Sequence, residues 1–119
     1  MAISERVSKI VWGQCAARCS LCREMVLEPS ARITSLVGEL AHIVGESERA
    51  SRGVSDLPLA ERNDSENLLL LCRKHHKIVD DDPTTYTVER LRKLKIEHIA
   101  WITARLAKTT PWRSAISHL

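Results

Sequence analysis

Between Asn67 and Asp80 the chain passes from four consecutive leucines, Leu68 to Leu71, straight into Cys72, His75, His76 and Asp80. Four leucines in a row suit a short strand buried on both faces, because only such a strand hides both sets of alternating side chains. The spacings that follow, three, one and four, place His76 one helical turn before Asp80 if a helix begins there. Strand, tight turn and helix thus meet at one corner rich in metal-ligand side chains.

Only one other stretch can complete that corner. Cys19-Ser-Leu-Cys22 is a C-x-x-C knuckle and Cys72-Arg-Lys-His75 is C-x-x-H, so together they offer three thiolates and one imidazole, a tetrahedral zinc set. A lone C-x-x-C reads equally well as a redox pair or as two buried thiols; the matching second knuckle favours zinc. Cys15 is left over and reads as a small helix residue.

A length of 119 residues sets one domain, and a zinc site suits it: aromatic residues are only 3% of the chain and Phe is absent, so the core is aliphatic and thin. Structural zinc contributes on the order of 10 kcal/mol of apparent folding energy in small domains. The net charge of +3 does not by itself specify a nucleic-acid partner. Glu5, Arg6, Lys9 and Arg18 interrupt the first twenty residues and no segment is apolar enough to span a membrane, so a soluble, cytoplasmic protein is expected. A reducing compartment also disfavours pairing the cysteines as disulfides.

In chain order, Ser4 caps a helix in which Val7, Ile10, Val11, Gln14 and Arg18 recur at three and four. Met25 to Leu27 reads as a short strand closed by Glu28-Pro29-Ser30, and Ile33 to Ile43 as another, with His42 near its end. Gly45 to Gly53 is a polar loop whose Arg49 and Arg52 are free to meet phosphate, or are simply solvated. Leu57 to Arg62 forms a helical turn, Asn63-Asp64-Ser65 breaks it, and Asp82-Pro83 stops the metal-site helix. Thr87 caps a last helix whose stripe runs through Val88, Leu91, Leu94, His98, Ile99, Ile102 and Leu106, with His98 a packed core residue and Arg90, Arg92, Lys93 and Lys95 mostly on its other faces.

Ala41-His42-Ile43, then Asn67, then His76, set among two zinc knuckles, resembles the HNH endonuclease family, whose name records those three residues. The resemblance covers about residues 19–80 and is closest to members with an Ala-His-Ile core and a Leu-Cys-x-x-His-His end, some of them modules of bacterial anti-phage defence effectors. It implies an α+β chain with a ββα-metal (His-Me finger) core stapled by zinc and flanked by a helix at each end. The division that follows is 1–18 helix, 19–82 nuclease core, 83–108 helix and 109–119 tail or linker.

The resemblance also implies roles. Phosphodiester hydrolysis needs a base, charge against the phosphorus oxygens and help for the departing 3′ oxygen. His42 would be the base, since an unperturbed imidazole, with a pKa of about 6.5, is largely neutral at pH 7. His76 would hold a catalytic Mg2+ or Mn2+, and Asn67 would hold the base's loop through backbone hydrogen bonds. Cys19, Cys22, Cys72 and His75 would hold the structural Zn2+. Many members carry Asp or His just before the base, where this chain has Ala41; Glu39, on the same strand face and longer, is a candidate substitute. Asp80 would accept the second ring proton of His76 or His75, or is a plain surface acid. The substrate implied is double-stranded DNA held by its backbone, with Arg49, Arg52, Arg73, Lys74 and Lys77 as candidate contacts, and a fused or associated sensor domain as regulator. Two other classes stay open: a zinc-stapled DNA- or protein-binding module without catalysis, and a redox or zinc sensor built on Cys19 and Cys22.

Overall fold

A computed structural model describes residues 2–108; the tail expected over 109–119 lies outside them. Ser4 begins α1 (Glu5–Gln14) by accepting from Val7 N at 3.2 Å, which satisfies one of the amides that a helix start leaves bare. The helix stops a turn earlier than its periodicity predicts, so Arg18 is not on it. Ala16 and Ala17 take left-handed φ values of 54° and 53°, and this reversal carries the chain into the first knuckle.

The single strand expected over Ile33 to Ile43 is two. Here β1 (Leu27–Pro29), two residues later than expected at each end, pairs antiparallel with β2 (Thr34–Leu36), while β3 (Gly38–His42) pairs antiparallel with β4 (Leu68–Cys72). Val37 forms the joint, its amide donating to Val26 O at 2.9 Å. Gly38 is needed next to it: a Cβ there would lie 2.6 Å from Val26 Cγ2. In the β3–β4 ladder Gly38 faces Cys72 and His42 faces Leu68, which brings the middle of the chain beside the leucine run.

Strand β4 is buried on both faces, as four leucines require; each is 1% exposed or less. At about 1.5–3 kcal/mol per buried side chain, this strand makes a large apolar contribution. Val11 of α1, Val26, Ala41 and Ile43 pack around it with Val79 of α2 (Arg73–Asp81) and Leu91 of α3 (Val88–Lys108). Together β3, β4 and α2 make the expected ββα unit, with α1 and α3 at its two ends in sequence. No helix among the described residues is long and apolar enough to cross a membrane.

Helix α3 packs through Leu91, His98 and Ile102, and Thr87 Oγ1 accepts from Arg90 N at its start. His98 is a core residue, fully buried, its Nε2–H donating to Cys15 O at 3.1 Å; burial holds its pKa below the ordinary value. Cys15 caps the end of α1 and is itself buried. Lys95 departs from expectation. It lies on the Leu91–His98–Ile102 face and is only 7% exposed, its ammonium donating to Leu68 O at 2.6 Å and to Ser65 O. It therefore ties α3 to the start of β4, and burial depresses its pKa.

Candidate metal centre and active site

The knuckles meet. Ligand atoms of Cys19, Cys22, Cys72 and His75 all lie within 4.8 Å of one another, among them His75 Nδ1 at 3.2 Å from Cys72 Sγ and 3.8 Å from Cys19 Sγ. Tetrahedral Zn–S bonds of about 2.3 Å set neighbouring ligands about 3.8 Å apart, so the donor set and its spacing fit zinc. Local structure prepares it. Arg23 takes a left-handed φ of 64° to close the first knuckle, Leu21 N points at Cys19 Sγ (3.4 Å), and Cys72 caps α2, its sulfur 3.5 Å from His75 N.

Crowding the sulfurs sets anion against anion at Cys22. Burial, followed by the neighbouring Cys19 and Cys72 sulfurs, pushes the Cys22 thiol up to about 11, against a backbone hydrogen bond. Burial works the same way on Cys19, but the amides of Cys22, Cys72 and Leu21 outweigh it and lower its pKa. A divalent cation at the centre removes the conflict by neutralising the thiolates.

One residue further along α2 the chemistry changes. His76 is engaged on both ring nitrogens: Nδ1 lies 2.9 Å from Glu39 Oε1 and Nε2 lies 3.1 Å from Asp80 Oδ2. The hydrogen bond with Asp80, first, and that with Glu39 raise the His76 pKa against the effect of burial. Burial pushes the Asp80 carboxyl up, but hydrogen bonds from His76 and Arg52 more than reverse it. His42 and His76 border one cavity of about 320 Å³, together with Leu40, Glu46, Ser51, Arg52 and Asp80. Imidazole and carboxylate oxygens are the donor set for a hard divalent ion. Because the two carboxylates bond opposite edges of the His76 ring, an ion on one nitrogen can share only one of them.

The segment that carries His42 is pinned from two sides. Asn67 Oδ1 accepts from Val44 N at 2.9 Å, and its Nδ2 donates to Val44 O and Arg62 O, each at 2.9 Å. Arg52 works from the other side. The sequence left it free for phosphate, but its side chain is 3% exposed: Nε donates to Ile43 O, Nη1 to Val79 O, and Nη2 to His42 O and Asp80 Oδ1. Its left-handed φ of 59° turns the side chain inward at a cost of about 1–3 kcal/mol. Arg52 thereby joins the end of β3 to α2, its guanidinium engaged with the protein's own acceptors.

Arg62 is a second organiser that sequence reasoning missed. It is 2% exposed and donates to the carbonyls of Leu57, Gly45, Gly53 and Ser55, so the polar stretch after Gly45 is a fixed scaffold. The sequence signal was a stretch with no strand or helix pattern, whose carbonyls have no ladder partners and need other donors. Asn63, which reads as a turn residue, is also a partner of His42; its Oδ1 lies 2.7 Å from His42 Nε2. Of the other expected contacts, Arg49, Arg73, Lys74 and Lys77 are exposed. Arg73 lies 3.9 Å from Glu39, and Lys77 pairs with Asp81 at 3.1 Å, an exposed pair worth about 0–1 kcal/mol and easily exchanged.

Residues 19–82, more than half the chain, match the HNH endonuclease family. No curated protein matches the chain.

Proposed function

Since the chain belongs to the HNH endonuclease family, a family of nuclease-type function, we propose that it is a metal-dependent endonuclease hydrolysing phosphodiester bonds in double-stranded DNA. The observation that carries the reading is the shared cavity: His42, from the middle of the chain, and His76, from beyond the leucines, border the same space beside a separate cysteine-rich centre. His42 takes the proton of the attacking water. Asn67 keeps the segment that carries it in place, and is a positioning residue. Bound to His76, Mg2+ or Mn2+ would supply positive charge against the phosphate oxygens and a Lewis acid for the departing 3′ oxygen. Cys19, Cys22, Cys72 and His75 hold Zn2+ and take no part in the reaction.

The geometry favours an exchange of the roles first expected for the two acids. Asp80 borders the cavity and faces His76 Nε2, so it is the better co-ligand; Glu39 then accepts the Nδ1 proton and fixes the ring. Arg49, Arg73, Lys74 and Lys77 meet the DNA backbone, which makes binding salt-dependent and indifferent to sequence. The division 1–18, 19–82 and 83–108 follows, with the nuclease core between two stabilising helices. An unrestrained cutter would harm its host, so the module works under a fused or associated sensor domain in the cytoplasm, as in a defence effector.

Ala41, which leaves no acid before the base, supports a second reading as a DNA- or protein-binding module without catalysis. Incubation with supercoiled plasmid in Mg2+, Mn2+ or EDTA separates the two. Nuclease action gives nicked and linear forms with either ion, nothing with EDTA, and a loss of at least about 100-fold in His42→Ala. Plasmid that is shifted on a gel and never cut establishes the second reading, and unchanged nicking by His42→Ala removes this mechanism.

A further inference from the structure

The hydrogen bond between His42 and Asn63 decides which nitrogen of the ring can act. We propose that Asn63 is a positioning residue that fixes the tautomer of His42, leaving Nδ1 as the atom that takes the proton; the proposal rests on the assignment of His42 as base.

His42 Nε2 and Asn63 Oδ1 are 2.7 Å apart, shorter than the usual N–H···O distance of about 2.9–3.0 Å. An amide oxygen has no hydrogen to give, so in the neutral ring Nε2 carries the proton and Nδ1 carries the lone pair. The two partners are separated by 21 residues, and each is fixed by its own scaffold. On the His42 side, Arg52 holds the carbonyl at 3.1 Å and Ile43 N donates to Asn67 O at 2.9 Å. On the Asn63 side, the preceding residue is the buried Arg62, whose carbonyl accepts from Asn67 Nδ2, and the following Asp64 N donates to Glu61 O at 3.1 Å. The ring is thus oriented by an acceptor that the fold places and that carries no charge. A carboxylate in the same place would orient the ring equally well but would favour imidazolium, which is no base. The titratable or charged groups that share the cavity with His42 are Glu46, Arg52, His76 and Asp80, and none of them supplies the Nε2 contact.

The test uses the full zinc-loaded protein with 15N-labelled histidine. Long-range 1H–15N spectra of the metal-free active site should show His42 with a protonated Nε2 and a bare Nδ1; a dominant Nδ1–H form overturns the proposal. Plasmid nicking in Mg2+ across a pH series is then compared for Asn63→Ala and Asn63→Asp. Asn63→Ala should lower kcat about 10- to 100-fold with KM within about twofold and zinc content retained. Asn63→Asp should recover much of the rate at high pH, with the acid limb displaced upward by about one pH unit. A native kcat in Asn63→Ala, or an unmoved acid limb in Asn63→Asp, overturns the proposal. Should Asn63→Ala fail to fold, the near-isosteric Asn63→Asp decides. Should the protein cut no DNA, the tautomer and the NMR titration of His42 in the native and Asn63→Asp proteins still decide this point, and only the nuclease reading falls.

Discussion

His75 and His76 are neighbours on one helix, yet they belong to corners built on opposite plans. The first corner closes: three sulfurs and one nitrogen surround a single point from β4, α2 and the first knuckle, and Cys19 is fully buried. The second stays open: one imidazole between two carboxylates that are each more than two-fifths exposed, beside a cavity bordered by a second imidazole. A closed set of soft ligands leaves a cation no free position and suits it to bracing the fold. An open set of nitrogen and oxygen ligands leaves room for water and phosphate. One helix of nine residues serves both because adjacent side chains on a helix point about 100° apart.

Breaking the closed corner should have the larger effect. Cys72→Ser, or removal of zinc by a strong chelator, is expected to abolish cooperative unfolding, since such sites contribute on the order of 10 kcal/mol. A fully folded, zinc-free protein by circular dichroism would make the two corners alike in importance. His76→Ala probes the open corner alone: nicking should fall by at least about 100-fold while bound zinc per chain and the melting temperature stay near native. Loss of zinc in that variant would show that the corners are not independent.

The latch between them comes next. Arg52→Ala strips donors from three carbonyls and leaves Asp80 with only His76, so a loss of about 2–4 kcal/mol in urea unfolding is expected. Arg52→Lys should recover only part of it, because an ammonium cannot span the same fork of acceptors. The smallest effect is on pH. His76 is held above its ordinary pKa chiefly by the Asp80 hydrogen bond, so the stability it contributes is complete below about pH 6.5 and is lost as pH rises through the folded-state value. Zinc-loaded protein without Mg2+ should therefore weaken in urea above that pH, and His76→Gln should not. An unchanged slope in that variant would place the titrating group elsewhere.

Much of this was legible in the residues. Four leucines ahead of a C-x-x-H knuckle specified a doubly buried strand ending at a cluster of side chains able to bind metal, because a strand's alternation leaves such a run no exposed face. Ser4, Thr87 and Pro83 marked helix boundaries through local backbone chemistry. The split of Ile33–Ile43 into two strands was not legible, since Gly38 is demanded by Val26, a contact made twelve residues away in sequence. The spacing of Lys95 from Leu91 and His98 puts it on the buried face, while its charge alone argues for solvent. Arg52, Arg62 and Asn63 look like ordinary polar loop residues, and nothing local says which carbonyls or rings they will meet.

The sequence by itself determined the ligand types, their pairing into knuckles and the leucine strand that carries them, for these depend on side-chain chemistry and short-range periodicity. Only the tertiary structure decided which buried cations knit the loop to the helix, which carboxylate faces which nitrogen of His76, and that an amide holds His42. Those outcomes depend on hydrogen-bond partners tens of residues apart, whose positions exist only once the core has closed.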